Sequence, residues 1–208
     1  MANNIQIKPV NSNNEKNNTY RYQLGRYNKA IKEGFYFEAM MIVYAMLEDR
    51  LRSYMYYIGL LRKRTDFKCN KSTTEYIKKI MFEQGNENPI LKINTITGKI
   101  QIVKSTLNWS QKEMESDDGY LKNLKLLLEG MDIDGFLEVL SKLDAEDGWL
   151  KLRNEIIHSS MNKNICNMYE NLSEKVQIGF QYARFIDSQI KVIKKSNEVR
   201  KYLKLSNE

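Results

Sequence analysis

Apolar residues at Phe37, Met40, Tyr44, Leu47, Leu51, Met55, Ile58 and Leu61 alternate spacings of three and four, which predicts one long helix with a single apolar stripe. Methionine and tyrosine within the stripe mark it as core first and binding surface second. A preceding helix is expected over roughly Tyr20 to Lys32, ended by Gly34. A third is expected over Thr73 to Gln84, before Gly85 and Pro89 break the pattern. Beyond Asp117, the leucines Leu121, Leu124 and Leu128, then Phe136, Leu137, Leu140 and Leu143, indicate shorter scaffold helices. Val176, Phe180, Ala183, Ile186, Ile190 and Ile193 form a final stripe long enough to run the length of a bundle.

The pattern changes between Ile90 and Val103. Leu91-Lys92-Ile93 and Ile100-Gln101-Ile102 alternate around Thr97-Gly98, which predicts a small β-hairpin near 90–104, inserted with its flank over 90–117. Prolines occur only at Pro9 and Pro89, so long helices are permitted elsewhere. The expectation is an all-α fold: a bundle of long antiparallel helices forming one domain over 19–208, preceded by a polar, disordered tail over 1–18.

With 208 residues the chain can bury a sizeable core as one domain. Its 33 Lys+Arg against 26 Asp+Glu give a formal net charge of +7, which favours an acidic partner, nucleic acid before membrane. Lysine-rich composition alone is the plainer cause. Lys191, Lys194, Lys195, Arg200, Lys201 and Lys204 make a basic end that binds phosphates or is simply a solvated face. Cys69 and Cys166 lack metal-ligand spacing and point to neither zinc nor a disulfide framework, so a reducing cytoplasm is expected. No apolar run approaches a membrane span, and the asparagine-rich start does not read as a leader.

Candidate chemistry is concentrated around the single histidine, in Arg153-Asn154-Glu155-Ile156-Ile157-His158. Asp144 is the expected N-cap of a helix from about Ala145 to Met161. On it, Trp149, Leu150, Leu152, Ile156 and Ile157 form one broad apolar arc with Arg153 at its middle. Arginine is almost never fully buried unless paired, so this guanidinium has to meet a carboxylate, reach the surface or face an anionic ligand. Asn154 and His158 lie one helical turn apart at the edge of the arc. Arg153 and His158 diverge by about 140° on an ideal helix, so two copies related by a two-fold axis would be needed to aim both at one atom.

Arg153, Asn154 and His158 together resemble the signature of the HEPN family: arginine, a polar residue, then histidine after a few intervening positions, on a late helix of an all-helical bundle. The resemblance implies a homodimer with a composite active site that cuts RNA without a metal ion or cofactor. For bacterial members it also implies toxin or phage-defence roles, restrained in some cases by a protein or RNA antitoxin. Family toxins controlled by nucleotidyltransferase antitoxins often carry a tyrosine two residues after the histidine, where this chain has Ser160. That mode of control is therefore not expected.

On this reading Arg153, Asn154 and His158 are the catalytic residues of an endoribonuclease in which a 2′-hydroxyl attacks the adjacent phosphate. His158 has the side chain whose ordinary pKa, about 6.5, suits proton transfer near neutrality. Arg153 would neutralise charge growing on the phosphate oxygens, and Asn154 would orient His158 or the phosphate. Glu48, Asp49 and Arg50 are candidates to line the site, with an exposed ion-pair face the plainer reading. The competing reading is a non-catalytic helical dimerisation or RNA-binding module with Arg153 ion-paired in an interface. A regulatory nucleotide-binding protein is a third, with no glycine-rich phosphate loop to support it.

Overall fold

The computed structural model describes residues 13–65, 68–112, 118–159 and 171–205. Within them the chain runs through α1 (Asn13–Glu33), α2 (Tyr36–Tyr57), α3 (Lys71–Glu83), α4 (Ile96–Ser110), α5 (Gly119–Leu128), α6 (Ile133–Asp144), α7 (Trp149–Ser159), α8 (Leu172–Lys195) and α9 (Glu198–Tyr202). The fold is all-α. Its only β pairing among the described residues is an isolated antiparallel bridge between Leu61 and Cys69.

The predicted stripe of α2 becomes the centre of the core. Met40, Leu47, Leu51 and Met55 are fully buried, and Val43 and Tyr54 widen the stripe until little of the helix reaches water. α1, α4 and α8 pack around α2; α3 packs on α4, α6 on α4 and α8, α7 on α6, and α9 on α5. Two buried hydroxyls fix this arrangement: Tyr54 and Thr106 share a 2.7 Å hydrogen bond between α2 and α4, and Tyr120 donates to the Ile58 carbonyl at 2.9 Å. The final stripe packs as predicted, with Val176, Ala183, Ile186, Ile190 and Ile193 buried and Phe180 stacked on Tyr27 at 4.2 Å. Gly34, with φ 78°, takes the left-handed conformation that ends α1.

The predicted β-hairpin is wrong: residues 96–110 form α4. The alternation at Ile100 and Ile102 masked a helical spacing through Ile96, Ile100, Val103 and Leu107, all buried. Thr95 caps the helix by accepting from the Gly98 amide at 3.1 Å. Gly98 allows close approach rather than a hairpin turn, since a Cβ there would lie 2.1 Å from the Lys92 carbonyl oxygen. Nor does this helix behave as an insertion, because it packs against α2, α3 and α6.

Two boundaries also move. The expected disordered tail is helical from Asn13, its first turns held by charge rather than apolar burial: Lys16 pairs with Asp49 at 2.8 Å. Residues 1–12 lie outside the described set. Asp144 is the last residue of α6, not the cap of the motif helix, because buried Leu143 carries α6 one turn further. α7 therefore begins at Trp149, and its expected end at Met161 lies outside the described residues, as do Ser160 and Cys166.

Candidate functional site

α7 is positioned from its first residue. Trp149 is buried and donates from Nε1 to the Lys175 carbonyl on α8 at 2.9 Å. The indole fits only because Gly179 has no side chain: a Cβ there would stand 2.3 Å from Nε1. Gly179→Ala would gain about 1 kcal/mol of helix propensity but lose about 1–3 kcal/mol to overpacking against a rigid ring. The expected result is net destabilisation in urea unfolding together with a shifted indole emission; an unchanged midpoint and spectrum would refute the anchor.

From this anchor, Leu150 and Ile156 turn into the core, Leu152 and Ile157 are half-buried, and Asn154 and His158 are exposed. Arg153 is half-buried. Its guanidinium carbon lies 4.0 Å from the Tyr44 ring centroid, a cation–π geometry. Nη1 donates to Asn154 Oδ1 at 2.9 Å, Nη2 approaches the Met41 sulfur at 3.9 Å, and Nε is buried with no hydrogen-bond partner. Among the described residues of this chain no carboxylate pairs with Arg153.

The structure thus joins Arg153 to Asn154 and places His158 one turn along the same helix, on its exposed side. It also adds two residues that the sequence assigned elsewhere. The apolar stripe assigns Tyr44 to the core and gives Met41 no role. With Phe37 and Glu48 they follow helical spacing along one face of α2, where Phe37 and Met41 remain exposed. Burial, then the charge of Glu48, push the Tyr44 hydroxyl above its ordinary pKa, while Arg153 opposes them.

Of the three acidic and basic candidates on α2, Glu48 is held by the buried ammonium of Lys99 at 2.9 Å. Asp49 and Arg50 face away from the motif. They belong to a network with Lys16, Tyr20 and Asp187 on the α1–α8 side. Neither orients Arg153. The basic end is not uniform either. Arg200, expected on a solvated or phosphate-binding face, is completely buried and donates to three backbone carbonyls.

No family model, curated protein or solved structure matches the chain. Its function is therefore read from its own residues. Among those described, no three His, Cys, Asp or Glu side chains group as a metal site, and no helix is long and apolar enough to cross a membrane. Cys69 is a free, half-buried thiol whose pKa burial raises, the opposite of a reactive thiolate.

Proposed function

We propose that the chain is a metal-independent endoribonuclease of the HEPN type, working as a homodimer in the cytoplasm. One observation carries the reading: a half-buried guanidinium, stacked on Tyr44 and tied to Asn154, has, among the described residues, a buried Nε without a partner and no carboxylate to neutralise it. A cation kept in that state is matched by an anionic ligand such as a phosphodiester.

In the reaction, His158 takes the proton of a 2′-hydroxyl as its oxygen attacks the adjacent phosphorus. Arg153 stabilises the oxyanions of the crowded phosphorus, and the bond to the 5′-oxygen breaks. The histidine of a second copy returns a proton to that oxygen. The products are a 2′,3′-cyclic phosphate and a 5′-hydroxyl. The exposed Met41 beside Arg153, with exposed Phe37 one turn before it on α2, supplies apolar surface for the pairing of copies. That surface equally suits the alternative, a dimerisation module without chemistry, so activity has to decide.

Single-stranded RNA incubated with the purified chain in a chelator is expected to be cut, leaving cyclic phosphate ends, with the protein sedimenting as a dimer. Cleavage lost in chelator and restored by a divalent ion would overturn the mechanism. A dimer that cuts no RNA would leave the interaction module.

A further inference from the structure

On the side of α2 away from Arg153, six cations converge on one cavity of about 430 Å³: Lys16 and Arg21 of α1, Arg50 of α2, Arg64 just beyond it, and Lys191 and Lys194 of α8. Among the described residues, two carboxylates pair with cations of this group. Asp49 pairs with Lys16 and Arg50, both at 2.8 Å, and Asp187 pairs with Arg50 and Lys191, both at 2.7 Å. Lys16, Arg21, Arg50, Lys191 and Lys194 alone outnumber these two carboxylates, which leaves a surplus of cations around a concave, partly desolvated space. Low-dielectric walls concentrate such a field on the space between them.

The groups at the base of the cavity are held in place. Arg50 donates from Nε to the Tyr20 hydroxyl at 2.7 Å, Tyr20 donates to Asp49 at 2.7 Å, and the Arg50 guanidinium carbon lies 4.2 Å from the Tyr20 ring centroid. Lys16 also donates to Ser53 at 3.4 Å, and Arg64 donates to the Tyr57 hydroxyl at 3.3 Å. Burying Lys16 and Arg50, whose side chains are 16% and 13% exposed, costs desolvation energy. Asp49 does not fully offset it for Lys16, since burial still holds that ammonium below its ordinary pKa. A bound anion would supply the missing negative charge.

We propose that this cavity binds a nucleotide through a di- or triphosphate. The surplus of cations selects a multiply charged anion, and the volume falls in the range of small-molecule sites, about 300–1,000 Å³, with room beyond the phosphates. Asn17, Ser53 and the Tyr20 hydroxyl line that room with hydrogen-bonding groups. At about 100° per residue, Arg50, Ser53 and Tyr57 lie roughly opposite Met41 and Tyr44 on α2, so this site is separate from the Arg153 site and stands or falls without it.

Calorimetric titration of the full chain with ATP, AMP, pyrophosphate and sulfate tests the assignment. Saturable binding of ATP is expected, tighter than AMP or sulfate, with pyrophosphate retaining part of it. The double variant Arg21→Glu, Lys194→Glu changes two exposed rim residues outside the ion pairs and should keep the fold by circular dichroism. It should weaken ATP binding at least about ten-fold, more than 1.4 kcal/mol. Sulfate binding as tightly as ATP, equal affinity in the variant, or no binding of ATP and pyrophosphate would each overturn the proposal. So would site-dependent binding of single-stranded RNA alone, which would make the cavity part of a nucleic-acid track.

Discussion

Replacing Arg200 with methionine is expected to cost about 3–5 kcal/mol of stability, because three carbonyl oxygens would lose the guanidinium that donates to them. Nη1 donates to the carbonyls of Tyr56 at 2.9 Å and Leu61 at 3.1 Å, and Nη2 to that of Arg62 at 2.9 Å. These oxygens lie at and just past the C-terminal end of α2, where helix carbonyls lack internal partners and the helix dipole is negative. The Tyr56 ring covers the guanidinium, with its centroid 3.6 Å from the carbon. Methionine restores much of the volume but none of the donors. Relief of the buried charge offsets part of the loss and the Tyr56 carbonyl still accepts from the Gly59 amide at 3.0 Å, yet the Leu61 and Arg62 carbonyls lose this donor at about 1–3 kcal/mol each, so the acceptors dominate.

At about 2–4 °C per kcal/mol for a chain of this size, Tm should fall by about 10 °C. Arg200→Lys keeps the charge but has one ammonium for three divergent acceptors, so it should fall between the two. A methionine variant within about 0.5 kcal/mol of the parent in urea unfolding, the range of an ordinary surface substitution, would show that these carbonyls find other partners.

Arg200 also shows where sequence reading stops. In the sequence it is one of several basic residues near the C-terminal end, and linear charge patterning does not distinguish a solvated cation from a buried one. The helices whose apolar periodicity was unambiguous, α2 and α8, were legible because one face of each meets the core. α4 was not. A short isoleucine-rich run suits a strand or a buried helix equally, and its helical state rests on the Thr95 cap and burial against α2, α3, α5 and α6. α1 began earlier than expected because the Lys16–Asp49 contact, which spans the α1–α2 turn, is invisible to hydropathy.

The candidate site divides in the same way. Arg153 and Asn154 are adjacent in sequence and meet in the structure, so a linear motif could find them. Met41 reaches Arg153 from 112 positions away, and Tyr44 joins it through the same helix face. Their signal in the sequence was only an amphipathic stripe. The basic cavity has only a partial linear signal, Lys191 and Lys194 of the basic end, since its other cations come from α1, α2 and the turn after it. Absence of a glycine-rich loop spoke against one way of holding phosphate and was silent about this one.

Arg153→Ala and His158→Ala are each expected to reduce cleavage of single-stranded RNA by at least about 100-fold, the usual scale for losing an oxyanion-stabilising cation or a proton-transfer group. Both variants should remain folded, and here Arg153 contrasts with Arg200. Its Nη groups contact the adjacent Asn154 side chain and the Met41 sulfur, so among the described residues its removal orphans no buried carbonyl or carboxylate. The folded state loses the cation–π contact with Tyr44, about 0.5–1 kcal/mol at a partly exposed site. His158 is exposed, so its truncation empties no core volume. Arg153→Lys separates charge from geometry: it keeps the cation but not the planar fork, and should recover part of the activity if phosphate charge is what Arg153 meets. Circular dichroism and urea unfolding provide the check on folding, and product ends identify the chemistry. If both alanine variants cut RNA as well as the parent, neither residue is catalytic. If the parent cuts no RNA and Arg153→Ala alone unfolds, the arginine is structural and the dimerisation module takes its place.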